Sequence, residues 1–368
     1  MEKLSSKSLS INKNLIGIKS IVAELIPSYL GFGNDIYIMG ICGMGGLGKT
    51  TLASVIYNNY SNHFEGSCFI VNVRERSEKG DLCELQQELL DAILEGSNTK
   101  ISNVHQGVNI IKSRLRQKRV LLVLDDVNEL DQLEKLVGER EQEQEQEQGW
   151  FGLGSWIIIT TRDEHVLVQH RILKRYKLKV LNDDDASKLF CLKAFKSEQP
   201  KEGGYMQLSH DFVKYANGLP LALVTLGSFL VGRNIAQWKS ALESFKKNSK
   251  RKIFDILKIS YDGLEEMEKE IFLDIACFFK GWNKNEVIQI LENCGFEAEI
   301  GISVLIERSL LIVNVSKRLE VHDLLIEMGQ DIIHLESGGE IGKQSRLWLI
   351  EDLLHVLEND MVRKMKKL

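Results

Sequence analysis

An apolar run at residues 36–41 leads directly into Gly43-Met44-Gly45-Gly46-Leu47-Gly48-Lys49-Thr50. This segment fits G-x-x-x-x-G-K-[ST] in full, with a strand expected before it and a helix over 50–60 after it. Glycines let a backbone curl around a phosphate and turn its N–H groups inward. The start of the following helix adds the positive end of its dipole. On this chemistry Gly43, Gly45, Gly46 and Gly48 form a phosphate cradle. Lys49 reaches the β- and γ-phosphates, Thr50 sets its hydroxyl on Mg²⁺, and Thr51 reaches the α-phosphate.

The rest of the first half alternates strand and helix signals. Residues 68–73 are apolar and β-branched, 81–94 and 108–116 carry apolar residues at helical spacing, and 120–124 are wholly apolar. A second apolar strand is expected at 156–160 and a weaker one at 176–180. This alternation predicts an α/β layer structure with a mostly parallel sheet. Beyond residue 181 the strand signals fade. Helices are expected at 184–195, 205–216, 219–231 and 236–245 as a bundle, then at 251–261, 265–279, 284–294 and 298–307. Two short β segments, 310–315 and 318–321, flank a polar Asn-Val-Ser-Lys turn, and a last helix covers 323–335. Helices followed by a small hairpin predict a winged-helix unit.

Composition excludes several classes. Lys+Arg number 47 against 52 Asp+Glu, a net charge of −5. An acidic balance without a basic recognition helix argues against nucleic acid as the partner. The 6 cysteines include no CxxC pair and lie partly in apolar runs, as reduced buried thiols do. The N-terminus lacks the apolar stretch of a signal peptide. The longest apolar stretch, 219–231, falls short of the roughly 20 residues a bilayer requires. These features predict a cytoplasmic or nuclear protein. The Glu-Gln repeat at 141–148 has no apolar face to bury and is expected as a solvated insertion. The lysines near the C-terminus are too few to read as a binding patch.

Further residues carry chemistry. In Leu121-Leu122-Val123-Leu124-Asp125-Asp126 a buried strand delivers two carboxylates at its C-terminal end, where open α/β sheets bind ligands. Asp125 is placed to hold Mg²⁺ with its waters, and Asp126 to orient or deprotonate an attacking water. Taken alone, Asp-Asp after a strand reads equally as a helix cap. In Ile157-Ile158-Ile159-Thr160-Thr161-Arg162-Asp163, Arg162 reads evenly as a γ-phosphate contact and as a surface pair with Asp163. Pro220 suits the first turn of the greasiest helix. His322-Asp323 opens another helix, with Asp323 the expected cap; a lone His is usually structural.

These segments form an ordered set: GMGGLGKTT, LLVLDDV, IIITTRD, GLPLA, FLDIACFF and VHD. In that order the chain resembles the NB-ARC module of plant intracellular immune receptors, the NLR proteins. Asn128 after Asp-Asp-Val, where the coiled-coil class carries tryptophan, and Phe272–Phe279 make it more similar to the class with a TIR domain. The resemblance spans residues 14–350. It implies an α/β P-loop NTPase domain with a parallel sheet over 14–180, a helical ARC1 over 181–250 and a winged-helix ARC2 over 251–345. A polar leader, 1–13, precedes them, and 346–368 reads as a linker toward leucine-rich repeats; no TIR domain and no repeats are read in the chain.

The resemblance further implies one bound ADP or ATP with Mg²⁺, the ADP form closed and the ATP form open. It places the metal on Thr50 and Asp125, the second acid on Asp126 and the γ-phosphate sensor on Arg162. Pro220 falls near adenine, Ile16 and Gly17 line the adenine pocket, and His322 touches the ADP β-phosphate. Val321 stands where the family has methionine, and Trp156 where it has arginine. The implied function is a nucleotide switch in defence signalling, with self-association or pairing with full-length receptors. Two alternatives stand beside it: a slow P-loop ATPase acting by turnover, and a shortened, non-switching relative acting as an interaction partner.

Overall fold

The computed structural model describes residues 15–30, 33, 35–94, 99–139, 149–199, 203–247, 254, 257–258, 261–308 and 310–358. The leader 1–13, the Glu-Gln run 141–148, most of the helix expected at 251–261 and the C-terminal lysines lie outside them. The chain divides into two units, Met1–Lys179 and Val180–Leu368.

The first unit runs α1 (Ile18–Tyr29), β1 (Tyr37–Cys42), α2 (Lys49–Tyr60), β2 (Gly66–Ile70), α3 (Val73–Glu78), α4 (Leu82–Ile93) and α5 (Val104–Leu115). It continues with β3 (Val120–Val127), α6 (Leu130–Leu136), β4 (Trp156–Thr161), α7 (Glu164–Gln169) and β5 (Lys174–Lys177). The strands form one sheet in the order β2-β3-β4-β1-β5, every pairing parallel. All of β4 and nearly all of β3 are buried, as unbroken apolar runs covered on both faces must be. Leu122, Leu124, Ile157 and Ile159 pack with Leu85 and Leu89 of α4 and Ile111 and Leu115 of α5. Because β4 lies between β1 and β3, the loop after β1 and the carboxylates ending β3 emerge at one sheet edge.

Differences from the expected elements have local causes. The run expected as strand over 68–73 is strand only to Ile70; Asn72 adopts a left-handed backbone (φ 53), and Val73 opens α3. The strand expected at 176–180 lies earlier, at Lys174–Lys177, an edge strand whose charged side chains hide its period. Helix α1 was not expected, although its buried residues Ile18, Val22, Leu25 and Ile26 keep helical spacing. Pro27, inside it, obscures the pattern.

The second unit begins with α8 (Asp183–Phe195), α9 (Tyr205–Ala216), α10 (Pro220–Leu230) and α11 (Ile235–Lys247). Trp238, fully buried, sits among Phe190, Phe195, Tyr205 and Phe212, with ring centroids 5.2–5.9 Å away. Next come α12 (Glu266–Asp274), a π-helical turn (Ile275–Phe279), α13 (Lys284–Asn293) and α14 (Ala298–Glu307). The hairpin β6 (Ile312–Val313) and β7 (Leu319–Glu320) is antiparallel and shorter than expected, and α15 (Asp323–Glu336) follows. Its turn is polar as expected: Asn314 Oδ1 accepts the N–H groups of Ser316 and Arg318. The segment after residue 345, expected as a linker, is anchored. Arg346 is 6% exposed, with Nε 2.5 Å from Asp274 Oδ1 and Nη2 2.7 Å from Glu270 Oε2. A further helix, α16 (Ile350–Glu358), follows it. Among the described residues no helix is long and apolar enough to cross a membrane.

Gly40 lies on β1 where a Cβ would fall 2.3 Å from Leu167 Cδ1 of α7. Gly40→Val is expected to lower stability by about 1–3 kcal/mol through overpacking. Denaturant unfolding of Gly40→Val, Leu167→Ala and the double variant checks this: the double should lose less than the two singles combined.

Candidate functional site

The loop from β1 to α2 adopts backbone that only glycine takes readily. Gly43, Gly46 and Gly48 have φ of 148°, 79° and 92°. A Cβ on Gly43 would also stand 2.8 Å from Leu47 Cδ1 and 3.1 Å from the Leu178 carbonyl oxygen. No side chain caps α2 at Gly48. The Leu52 N–H bonds back to the Gly48 carbonyl at 2.9 Å. Lys49 is 7% exposed, and its Nζ donates to the carbonyls of Gly43 (2.7 Å) and Met44 (3.0 Å). The loop thus encloses an ammonium group at the start of a helix whose first-turn amides no side chain caps. This is the donor set a phosphate chain requires.

Thr50 and Asp125 meet at the same place. Thr50 Oγ1 lies 2.9 and 3.0 Å from the two carboxylate oxygens of Asp125. Thr160 Oγ1, from β4, donates to Asp125 Oδ1 at 2.6 Å and accepts the Asp126 N–H at 2.9 Å. Asp125 is 3% exposed. Burial pushes its carboxyl up to about 6, against the pull of the Thr160 and Thr50 hydrogen bonds. A hydroxyl and a carboxylate are hard oxygen ligands of the kind Mg²⁺ shares with phosphates.

The pairing of β3 with β4 shifts register between Leu124 and Val127, and Asp126 within the shift is left-handed (φ 58). Such irregularities re-aim side chains at a sheet edge. The carboxylate of Asp126 meets Arg162 Nε at 3.4 Å and Arg74 Nε at 3.0 Å. The Asp pair is not a helix cap, since β3 runs on to Val127 and Glu129 caps α6. Arg162 is joined to Asp126, while Asp163 caps α7 through the His165 N–H.

The first unit therefore brings together Gly43, Gly45, Gly46, Gly48, Lys49, Thr50, Asp125, Asp126 and Arg162 at one sheet edge. Thr51 is exposed on the first turn of α2. Ile16 and Gly17 are half-buried ahead of α1, and Gly17 (φ 76) forms its left-handed start. Pro220 and His322 belong to the second unit, at the starts of α10 and α15. Asp323 was the expected cap of α15, but the cap is His322, whose Nδ1 accepts the Leu324 N–H at 3.2 Å. That bond leaves the proton of a neutral ring on Nε2, a donor suited to an anion. Two residues escaped sequence reasoning: Thr160, read only as part of a strand end, and Arg74, hidden behind the strand expected at 68–73.

A family model described as the NB-ARC domain matches residues 20–200. A second, the winged-helix domain of Roq1-like disease resistance proteins, matches residues 265–337. Disease resistance protein RUN1 of Vitis rotundifolia is 42% identical over 347 residues, covering 94% of this chain and 25% of that protein. TMV resistance protein N of Nicotiana glutinosa is 41% identical over 366 residues, covering 97% of this chain and 30% of that one. The chain thus spans 25–30% of the length of these two relatives. A Signal Transduction ATPase with Numerous Domains from Pyrococcus horikoshii superposes with TM-score 0.52 at 15% identity, over 97% of this chain and 47% of that chain. At that identity the likeness is one of fold.

Asp125 makes stability depend on pH with a defined sign. Its folded value, about 6, exceeds its ordinary 3.8, so between these the folded state holds more protons. Its contribution falls as pH rises through that window, by at most about 1.4 kcal/mol per pH unit. Asp125→Asn removes this slope. Unfolding in chelator at pH 4 to 7 should therefore show the variant gaining on the parent as pH rises, then running parallel above about 6.

Proposed function

The chain belongs to the NB-ARC family of plant disease-resistance proteins, among relatives of the TIR-NBS-LRR class, and on that premise we propose that it is an ADP/ATP switch module of intracellular defence signalling. The observation that carries this reading is the Thr50–Asp125 contact beside the glycine loop that encloses Lys49 Nζ. Gly43, Gly45, Gly46, Gly48, Lys49 and Thr51 bind the phosphates, and Thr50 and Asp125 hold Mg²⁺. When bound, that ion neutralises charge between the phosphate oxygens. Arg162 senses the third phosphate, Asp126 is the second acid, and Ile16, Gly17 and Pro220 serve the adenine.

The proposed organisation is a nucleotide-binding domain over 14–180, ARC1 over 181–250 and ARC2 over 251–345. The change of unit after Lys179 and the winged-helix match over 265–337 support it. In the resting form, ADP is held through His322 Nε2, and exchange for ATP ends that contact. Self-association or pairing with longer receptors, in the cytoplasm or nucleus, would carry the output.

A second reading, ATP turnover as the activity itself, draws on the placement of Asp126 beside Arg162. Sustained multiple-turnover hydrolysis faster than ADP release would favour it.

The test is to purify the chain, denature it and identify the released nucleotide by chromatography. Near-stoichiometric ADP is expected. A folded chain that releases none and binds none sinks the switch. Lys49→Ala should lose retained nucleotide; a folded variant that keeps its ADP counts against the cradle. His322→Asn keeps a helix cap but removes the imidazole. It should weaken ADP about tenfold to a hundredfold, the worth of a hydrogen bond to a charged group. Unchanged ADP affinity in that variant rules out the His322 contact.

A further inference from the structure

Asp126 is shared between two cations from different elements. Arg162 follows β4, and Arg74 lies in the first turn of α3, just beyond β2. The two guanidinium groups take opposite oxygens, Arg74 at Oδ2 (3.0 Å) and Arg162 at Oδ1 (3.4 Å). The three side chains are 15–27% exposed, so solvent screens the charges only partly. The backbone that carries the carboxylate is held in place. Its residue is left-handed, and its N–H is held by Thr160 Oγ1, which also binds Asp125.

This geometry has an electrostatic consequence at a phosphate site. An anionic side chain fixed at the sheet edge repels an arriving third phosphate, unless it keeps a cation of its own. Arg162 holds Asp126 by the longer of the two contacts, through Nε at 3.4 Å, so a guanidinium that turns its other donors to a phosphate loosens this one first. Arg74, on the other oxygen and closer, can stay. We propose that Arg74 is a positioning residue that keeps Asp126 neutralised, so that Arg162 can transfer to the third phosphate. Arg74 thereby sets the preference for nucleoside triphosphate over diphosphate. The inference rests on the reading of this pocket as a nucleotide site with Arg162 as sensor. A diphosphate does not draw Arg162 away, so its affinity is indifferent to Arg74.

The test is a set of binding isotherms with Mg²⁺ for ADP and for a non-hydrolysable ATP analogue. The full chain is compared with Arg74→Gln, Arg74→Lys, Asp126→Asn and the Arg74→Gln/Asp126→Asn double variant. Arg74→Gln should weaken the triphosphate about fivefold relative to ADP, equivalent to about 1 kcal/mol. Arg74→Lys should stay within about twofold of the parent, because it keeps the charge. Without the carboxylate there is nothing to neutralise. Asp126→Asn alone should therefore favour the triphosphate at least as well as the parent, and Arg74→Gln should add nothing on that background.

An equal loss of both nucleotides in Arg74→Gln overturns the proposal, as does an unchanged ratio or a shift that persists in full beside Asp126→Asn. Should Arg74→Gln fail to fold, Asp126→Asn alone decides: a triphosphate preference below the parent's overturns it. A parent chain that binds neither nucleotide brings down the binding reading together with this one. A parent that binds both, with the ratio unmoved by Arg74→Gln, brings down this one alone.

Discussion

Asp125 is a carboxylate taken almost wholly out of water, at 3% exposure. A buried acid needs hydrogen-bond partners, because its charged form is penalised without them. It finds two hydroxyls, Thr50 at the start of α2 and Thr160 near the end of β4. Those bonds tie together three elements that are distant in sequence. The glycine loop is anchored through Thr50, the next residue after Lys49. The irregular end of β3 is anchored through Thr160, which also holds the Asp126 N–H. The strand order makes the tie possible, since β4 must stand beside β3 for Thr160 to reach it. With a different neighbour for β3 the same residues would leave Asp125 buried without the Thr160 hydroxyl.

Much of this was legible in the sequence, because it depends on local signals. The apolar runs of β3 and β4 need no partner to be recognised; they are buried on both faces and read as such. The glycine loop is a backbone requirement, written in residues that tolerate positive φ. What escaped depends on the neighbour. Arg74 gains its meaning only when β2 lies beside β3, so that α3 begins at the edge where Asp126 emerges. No spacing between Arg74 and Asp126 announces that. β5 was displaced because an edge strand of lysine, arginine and tyrosine has no apolar period. At α15 the sequence pointed to Asp323 as the cap, but the extended backbone falls one residue earlier, at His322 (φ −68, ψ 138), which takes that place.

The second unit shows a different use of burial. Around Trp238 the aromatic rings meet edge-on and stacked, and their contribution is area removed from water together with favourable ring geometry. Arg346 is held by charge instead. Burial pushes the Asp274 carboxyl up, and the guanidinium beside it pulls it down. Such a pair adds little net stability over apolar residues of the same size, because two ions must be desolvated. Its effect is on arrangement: a lone buried carboxylate would be costly, so the segment around Arg346 has one favourable docking position on α12. Trp348 packs against the apolar cluster that also holds Ile271, Ile302 and Leu325.

The energies bound what a switch of this kind can ask of any single contact. Moving a two-state equilibrium from 1:99 to 99:1 takes about 5.5 kcal/mol of differential binding. A histidine–phosphate hydrogen bond supplies about 1.5–3 kcal/mol, and a partly exposed arginine pair about 1 kcal/mol or less. Neither suffices alone. In the transfer proposed for Arg162, from Asp126 to a phosphate, only the difference between two anionic partners would count, not the whole of either interaction. A ligand shifts an equilibrium only by the difference in its affinity for the two states. The remaining energy must therefore come from surfaces that repack between states, whose burial scales with area rather than with any one residue. In a switch of the proposed kind, nucleotide contacts would decide which packing is favoured, and the packing would supply the steepness.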